Sequence, residues 1–417
     1  MILPDLDSIK MGYEDKSYVR KWRGILRKSV RSSLLSQRDL ALRRPKFDSS
    51  DSPINTVIAI GVNAPNPHNT QAWKFRNLSD VQTLLYVDVN RLLPATDPQY
   101  RQIHIGCGCF LETLAIGARG MAFDSTIEYF PEGFYGQEGV GKKPVAKVSL
   151  SRAATPVRDE QFDYVFQRQT NRKNYRGPTV MVSDTEFASL QKSYNDDSVR
   201  LIWMNEAKEM RPFLDIFYKA MEIECRTRRV YEESRIWFRF NEKQRAEKRD
   251  GLSAPQMGAE GLTKRFQEWY LNNGNPSRWH SNRSINAYLG SVKKGIESSQ
   301  GLLFLKTATN NQLDWIRSGR AYARIGLAAT KLGLYLHPNS QVLQEYSEMT
   351  ELQTEFNRLV GIEGEEKIQM AARVGRADRP YYAYRRNIDS FYDSAGLSKQ
   401  RGELLGEETQ AEEVPAV

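Results

Sequence analysis

Two stretches rich in small and apolar residues, 103–121 (IHIGCGCFLETLAIGARGM) and 314–336 (DWIRSGRAYARIGLAATKLGLYL), constrain the fold of this chain more than any other feature. Each reads as a long helix whose glycines and alanines allow close packing. Setting Gly106 against Gly319 gives an offset of 319 minus 106, or 213 residues, and the same offset pairs Leu114 with Leu327, Ala115 with Ala328 and Gly120 with Gly333. Self-similarity at a fixed spacing is the mark of a duplication. Two amphipathic helices of similar composition would share such identities by coincidence, so the repeat alone leaves both readings open. Gly120 sits where a helix-terminating glycine would.

The chain has 417 residues, 40% hydrophobic and 11% aromatic, which is ample material for a core. With 27% charged residues and no run approaching the roughly 18 apolar residues a membrane helix needs, the expectation is a protein without a membrane span. The net charge of +9, from 60 Lys+Arg against 51 Asp+Glu, suits an anionic ligand without demanding nucleic acid. Much of the excess lies in residues 1–50, where a solvated helical face is the plainer reading and a contact with RNA, lipid or a partner the sharper one. Cys107, Cys109 and Cys225 are too few for a disulfide framework, and the Cys-x-Cys lacks the other ligands of a zinc site. A reducing, cytoplasmic setting follows. Arg43-Arg44 is not followed by the apolar segment an export signal needs.

Turn residues at 49–53 (SSDSP) separate a basic helical leader, 1–50, from the compact part. Residues 51–155 read as a first lobe: a short apolar helix, strands at WKF, TLLYVDV, TIEYF and VAKVSL, and the first long helix. Residues 156–399 read as a second lobe, with a helix near 183–194, strands VRLIWM and GLLFLKTA, and the second long helix. Within this second lobe lies a polar, aromatic, helical insertion, 206–300, containing Trp237, Trp269 and Trp279 and suited to a lid. The tail, 400–417, is acidic and reads as disordered.

The densest chemistry is Asn63-Ala-Pro-Asn-Pro-His-Asn-Thr-Gln-Ala-Trp-Lys-Phe75, where Pro65 and Pro67 fix the backbone ahead of His68, Asn69, Thr70 and Gln71. Such a row can hydrogen-bond a planar heterocycle and its polyol chain, or satisfy itself as a loop. No competing catalytic machinery stands out: there are four histidines, no Gly-x-Ser-x-Gly, no phosphate-binding Gly-x4-Gly-Lys-Ser/Thr and no His-x3-His pair.

That stretch resembles the APSxxNxQPW signature of the FMN-dependent nitroreductase superfamily, and its NPHNTQAW form resembles the Acg-type branch, in which two nitroreductase-like halves share one chain. Other elements fall in matching order: Asp97-x3-Arg101-x2-His104-x-Gly106, Arg168-Gln-Thr-Asn-Arg172, GRAYARIGLAATKLGL, ARVGRA around Gly375, and Arg385-Arg386 in YRRNIDSFY. The likeness spans about 54–395, with the insertion matched only through WFRF and RDGL. Asn66, Ala72 and Gln169 depart from the pattern.

The resemblance implies an α+β nitroreductase-like fold of two homologous lobes forming a pseudo-dimer with a helical lid. It implies one FMN, because the Asn/Gln loop is clear only in the first half and the basic elements only in the second. His68, Asn69 and Gln71 would meet the ring edge and ribityl chain, Arg168, Arg172, Arg385 and Arg386 would hold the phosphate, and Pro67, Thr170 and Asn171 would belong to the same cofactor site. Gly375 would let backbone approach the ring. The flavin itself carries the chemistry, so no catalytic side chain and no metal is expected. The implied function is an FMN-dependent oxidoreductase passing electrons between NAD(P)H or an organic substrate and a small organic acceptor, as a monomeric pseudo-dimer or a homodimer. The alternative is an FMN-sequestering protein without NAD(P)H-driven turnover.

Overall fold

The computed structural model describes residues 52–155, 157–177 and 180–392. The basic leader with Arg43-Arg44 and the acidic tail lie outside the described residues.

Helix α1 (Pro53–Gly61) starts on Ser52, whose side chain accepts from the Asn55 N–H at 3.4 Å, with Pro53 preorganised in the first turn. Strands β1 (Trp73–Ser79) and β2 (Gln82–Val87) pair antiparallel with Phe75 opposite Leu85. Helix α2 (Arg101–Gly120) follows, then β3 (Phe123–Tyr129) and β4 (Ala146–Arg152), giving a first antiparallel sheet in the order β1-β2-β4-β3. Helix α3 (Asp184–Gln191), closed by a Ser183/Glu186 capping box, leads into β5 (Val199–Met204). Six helices then intervene: α4 (Ala207–Arg226), α5 (Arg228–Ile236), α6 (Glu242–Lys248), α7 (Gly261–Leu271), α8 (Pro276–Trp279) and α9 (Asn282–Glu297). Strand β6 (Gly301–Thr307), helix α10 (Gln312–Lys331), strand β7 (Tyr335–Pro338), helix α11 (Thr350–Val360) and strand β8 (Lys367–Gly375) complete a second antiparallel sheet, ordered β5-β6-β8-β7.

The two sheets therefore repeat one strand order, each with a 20-residue helix between its second and third strands. Those helices, α2 and α10, cross where both lack side chains. A Cβ on Gly319 would collide with the Ile105 carbonyl oxygen, and one on Gly108 with that of Ile316. This reciprocity equates Gly108 with Gly319, an offset of 319 minus 108, or 211 residues. Helix starts and ends agree with it, as do the left-handed residues after each helix, Ala122 (φ 61) and Gly333 (φ 70). The spacing of 213 expected from sequence is two residues out.

Other local expectations also change. Gly120 lies inside the last turn of α2 because the Phe162 ring occupies the place of its missing Cβ; Met121 caps the helix. The second long helix stops at Lys331, and its expected continuation, Tyr335–Leu336, pairs with Gly375 and Val374 as β7. Gly375 is thus the end of a strand and not a turn, and the ring of Tyr175 fills the space a side chain there would need.

One apolar core runs through both halves, from Trp73, Phe75 and Leu85 past Phe110 and Ile325 to Leu303, Leu305 and Val374. The segment 206–300 divides in two. The first turns of α4 bury Met210, Phe213 and Phe217 against Leu302, Phe304 and Phe356, so they belong to the second sheet's own packing. Beyond them, Met221, Tyr231, Phe240, Trp279, Ile285 and Leu289 form a separate small core. Among the described residues no helix is long and apolar enough to cross a membrane, and no group of three His, Cys, Asp or Glu is placed to hold a metal ion.

Candidate functional site

The loop between α1 and β1 is held in a conformation few side chains adopt. His68, Asn69 and Gln71 have φ of 48°, 55° and 52°, each costing on the order of 1 kcal/mol or more unless surrounding bonds compensate. Those bonds come from distant chain. Asn69 exchanges backbone and side-chain hydrogen bonds with Gly251, its Nδ2 also donates to the Tyr384 carbonyl, and its Oδ1 accepts from Arg385 Nη1 at 2.8 Å. Gln71 Nε2 donates to the Arg249 carbonyl at 2.9 Å, while its Oε1 accepts from the Arg386 N–H at 2.8 Å. Arg385 Nε donates to the Val62 carbonyl, and its Nη2 reaches that of Ala64. Burial pushes the Arg385 guanidinium down to about 9, with Arg168 adding to the effect, and burial foremost lowers Arg386 to about 10.

A cavity of about 740 Å3 opens beside this loop, walled by Asn66, Pro67 and His68, by Ile105, Gly106 and Cys109 of α2, by Tyr322 of α10, by β7 and by the helices between β5 and β6. Of the eleven residues implicated by sequence, Pro67, His68, Thr170 and Arg172 reach its wall. Asn69, Gln71, Arg168, Asn171, Gly375, Arg385 and Arg386 do not; the side chains of Asn69, Gln71, Asn171, Arg385 and Arg386 spend their polar atoms on protein groups. The 168–172 element is positioned by a parallel bridge from Thr170 to Leu336 at the edge of β7.

Arg172 differs from the buried arginines. Arg385 sits among carbonyls, Arg373 donates to the carbonyls of Gly295 and Lys173, and Arg245 pairs with Glu242 and Glu268. Arg172 faces the cavity with no acidic or hydrogen-bonding partner among the described residues, and burial holds its pKa below the usual arginine value. Beside it His68 is lowered to about 4 by burial and by Arg172, and His337, whose Nδ1 accepts from Arg373 Nε at 2.9 Å, is lowered by burial, Arg373 and Arg172. Both imidazoles are neutral near pH 7, so they add no second positive charge beside the guanidinium. Tyr288 and Tyr322 also line the cavity and lie within electrostatic reach of Arg172. Neither tyrosine carried a sequence signal of its own: Tyr322 hid in a helix read as packing, Tyr288 in the insertion.

The insertion is not separable from this site. Besides the bonds of Arg249 and Gly251, Asp250 pairs with Arg91 and Arg239 at 2.7 Å each, and Glu233 accepts from the N–H groups of Ala95 and Thr96 and from the Thr96 hydroxyl. Trp279 lines the cavity, Trp237 packs on the shared core, and Trp269 is exposed on α7.

Two antiparallel sheets joined through a helix pair, with a polar loop and an arginine without a partner among the described residues at one cavity, form a mixed helix-and-sheet chain whose relatives include proteins named as putative NAD(P)H nitroreductases. The particular relatives are from Mycobacterium tuberculosis: the protein named putative NAD(P)H nitroreductase acg is 25% identical over 185 residues, 43% of this chain and 51% of that protein, and the uncharacterized protein Rv3127 is 25% identical over 179 residues, 40% and 51%. The chain spans about half the length of the curated relatives it matches. No protein-family model matches it. Among solved structures it is similar to a nitroreductase with bound FMN from Bacteroides fragilis (TM-score 0.31, 10% identity, 55% of this chain and 94% of that one). It is also similar to the FMN-dependent nitroreductase NfnB from Mycobacterium smegmatis in complex with NADPH (TM-score 0.30, 15% identity, 53% and 92%).

Proposed function

We propose that this chain binds one FMN in the cavity beside the 65–71 loop and works as an FMN-dependent oxidoreductase of nitroreductase type, its two halves acting as the subunits of a pseudo-dimer. The observation that carries the reading is Arg172, a guanidinium at the cavity wall with no acidic partner among the described residues. An unpaired buried cation is costly, and an anionic or electron-rich ligand offsets that cost.

The residues present fit the group. The cavity volume of about 740 Å3 is in the range for small-molecule and cofactor sites. Gly106 and Pro67 form a close-packed wall in which a Cβ on Gly106 would press on Pro67 at 3.1 Å, leaving a smooth surface for a planar ring. Arg172, Tyr288 and Tyr322 supply donors for the phosphate or the ring's electron-rich edge. When bound, FMN supplies two-electron transfer between NAD(P)H or an organic donor and a small organic acceptor. The chain's residues position it, exclude water and stabilise negative charge. Arg385 and Arg386, implied as phosphate ligands by resemblance, act in this reading as the frame of the loop.

The helices between β5 and β6 cover the cavity, and Lys173 is tied to Glu260 at its wall at 2.5 Å; that enclosure favours flavin storage as a second reading. The visible spectrum of the purified protein decides. Bound flavin that bleaches anaerobically on adding NADH or NADPH supports the oxidoreductase; bound flavin inert to both supports storage or a different donor. Protein that neither retains nor takes up FMN would remove both.

A further inference from the structure

The cavity has a second pole. Glu224, on α4, is buried and lines the wall, within electrostatic reach of Tyr288, which is itself within reach of Arg172. Other buried acids among the described residues meet cations or a full set of backbone and hydroxyl donors. Glu112 meets Arg320 and Arg324, Asp250 meets Arg91 and Arg239, and Glu233 accepts three hydrogen bonds. Glu224 is met by amides: Gln344 Nε2 donates to its Oε2 at 2.9 Å, and the Gln341 side chain hydrogen-bonds it as well. Among the described residues no Lys, Arg or His forms an ion pair with it. Around it, Gln344 Oε1 and Ser340 Oγ, both on cavity-lining residues, are buried without hydrogen-bond partners.

A carboxyl met by amides but by no cation among the described residues, with an amide oxygen and a hydroxyl on neighbouring cavity-lining residues, makes this the acceptor-rich end of the cavity, the complement of the donor-rich end at Arg172, Tyr288 and Tyr322. Burying a carboxylate without a cation costs several kcal/mol, so such a pocket favours a ligand that brings the cation with it. Resting on the flavin reading above, we propose that the second ligand of the cavity, the small organic substrate, carries a protonated amine or amidine that seats on Glu224. Glu224 with Gln344 then determines which substrates are accepted, while Arg172 serves the cofactor. No bond is made or broken at Glu224; its part is charge recognition.

Titration calorimetry on the protein as purified, with benzamidine, benzamide and benzoate, tests this. The three share one ring and size and differ in charge. The expected result is benzamidine binding at least tenfold tighter than benzamide, benzoate weakest, and the benzamidine advantage lost in Glu224→Gln with flavin content unchanged. Equal binding of the three, preference for benzoate, or an advantage that survives in Glu224→Gln overturns the proposal. The wild-type comparison stands by itself should the variant not fold. Protein that holds no flavin yet discriminates the three probes would remove the flavin reading and leave the Glu224 site; flavin-loaded protein that does not discriminate would do the reverse.

Discussion

Gly108 and Gly319 face one another across the α2–α10 crossing so closely that neither position has room for a methyl group. Overpacking a close-packed contact costs about 1–3 kcal/mol. Gly108→Ala and Gly319→Ala should each lower stability to urea by at least that much. Gly290→Ala, inside α9 with open space around its Cα, should raise it by roughly 0.5–1 kcal/mol. Equal midpoints for Gly319→Ala and wild type would contradict the crossing described here.

Arg172 is half-buried at the cavity wall and Arg385 is buried beneath the loop, and they should fail differently. Arg172→Ala removes a cavity-facing charge that no protein group uses, so flavin affinity should fall about ten- to a hundredfold with little loss of fold stability. Arg385→Ala strands the carbonyls of Val62 and Ala64 and the Asn69 side chain, and should cost about 2–4 kcal/mol of stability. Flavin release assays and denaturant titrations on the two variants would read this out; the same pattern in both would dissolve the distinction.

Glu224 is pushed up to about 7, by burial first and by Glu233 in addition. Its ordinary value in the unfolded chain is near 4.5, so the folded protein binds more protons between the two values. Below about 4.5 the carboxyl is neutral in both states and imposes nothing. Its destabilising effect grows as pH rises from there and is complete above about 7. Glu224→Gln should therefore match wild type near pH 4.5 and become the more stable protein by pH 8, seen in thermal melts across that range. A difference independent of pH would refute the assignment.

Asp250 bridges Arg91, before α2, to Arg239 in the helical segment. Asp250→Ala removes the carboxylate that these two half-buried guanidinium groups share, leaving each its remaining bonds, such as Arg91 to the Thr70 carbonyl and Arg239 to the Ile236 carbonyl, and should loosen residues 237–252 first. Hydrogen exchange should rise there, and at Asn69, while the β6–β8 ladder stays protected. Protection unchanged at Asn69 would mean that the bridge does not support the loop.

Most elements were legible because their periodicities are strong: WKF, TLLYVDV, VRLIWM and GLLFLKTA are strands, and both long helices exist. The register of the repeat was not. In helices so rich in glycine a two-residue slip still pairs Gly106 with Gly319 and Gly120 with Gly333, and only the crossing selects Gly108. The loop 65–71 was legible as the centre of chemistry, but not the facing of each side chain. Asn69, Gln71, Arg385 and Arg386 look alike whether they meet a ligand or one another, and their partners lie outside any local window. Glu224, Tyr288 and Tyr322 gave no pattern, since what distinguishes them is the cavity they share, assembled from three separate helices.

The left-handed turn at His68, Asn69 and Gln71 also orders events in time. Its backbone is unfavourable alone, and the groups that stabilise it, Arg249, Gly251, Tyr384, Arg385 and Arg386, lie about 180 and 315 positions further along the chain. Such distant closures come late. A nascent chain can therefore assemble its first sheet, and even the α2–α10 pair, before this loop can settle. The cavity wall becomes rigid only when the last segment docks, so a chain cut short before Tyr384 should fold much of its architecture and still lack a finished site.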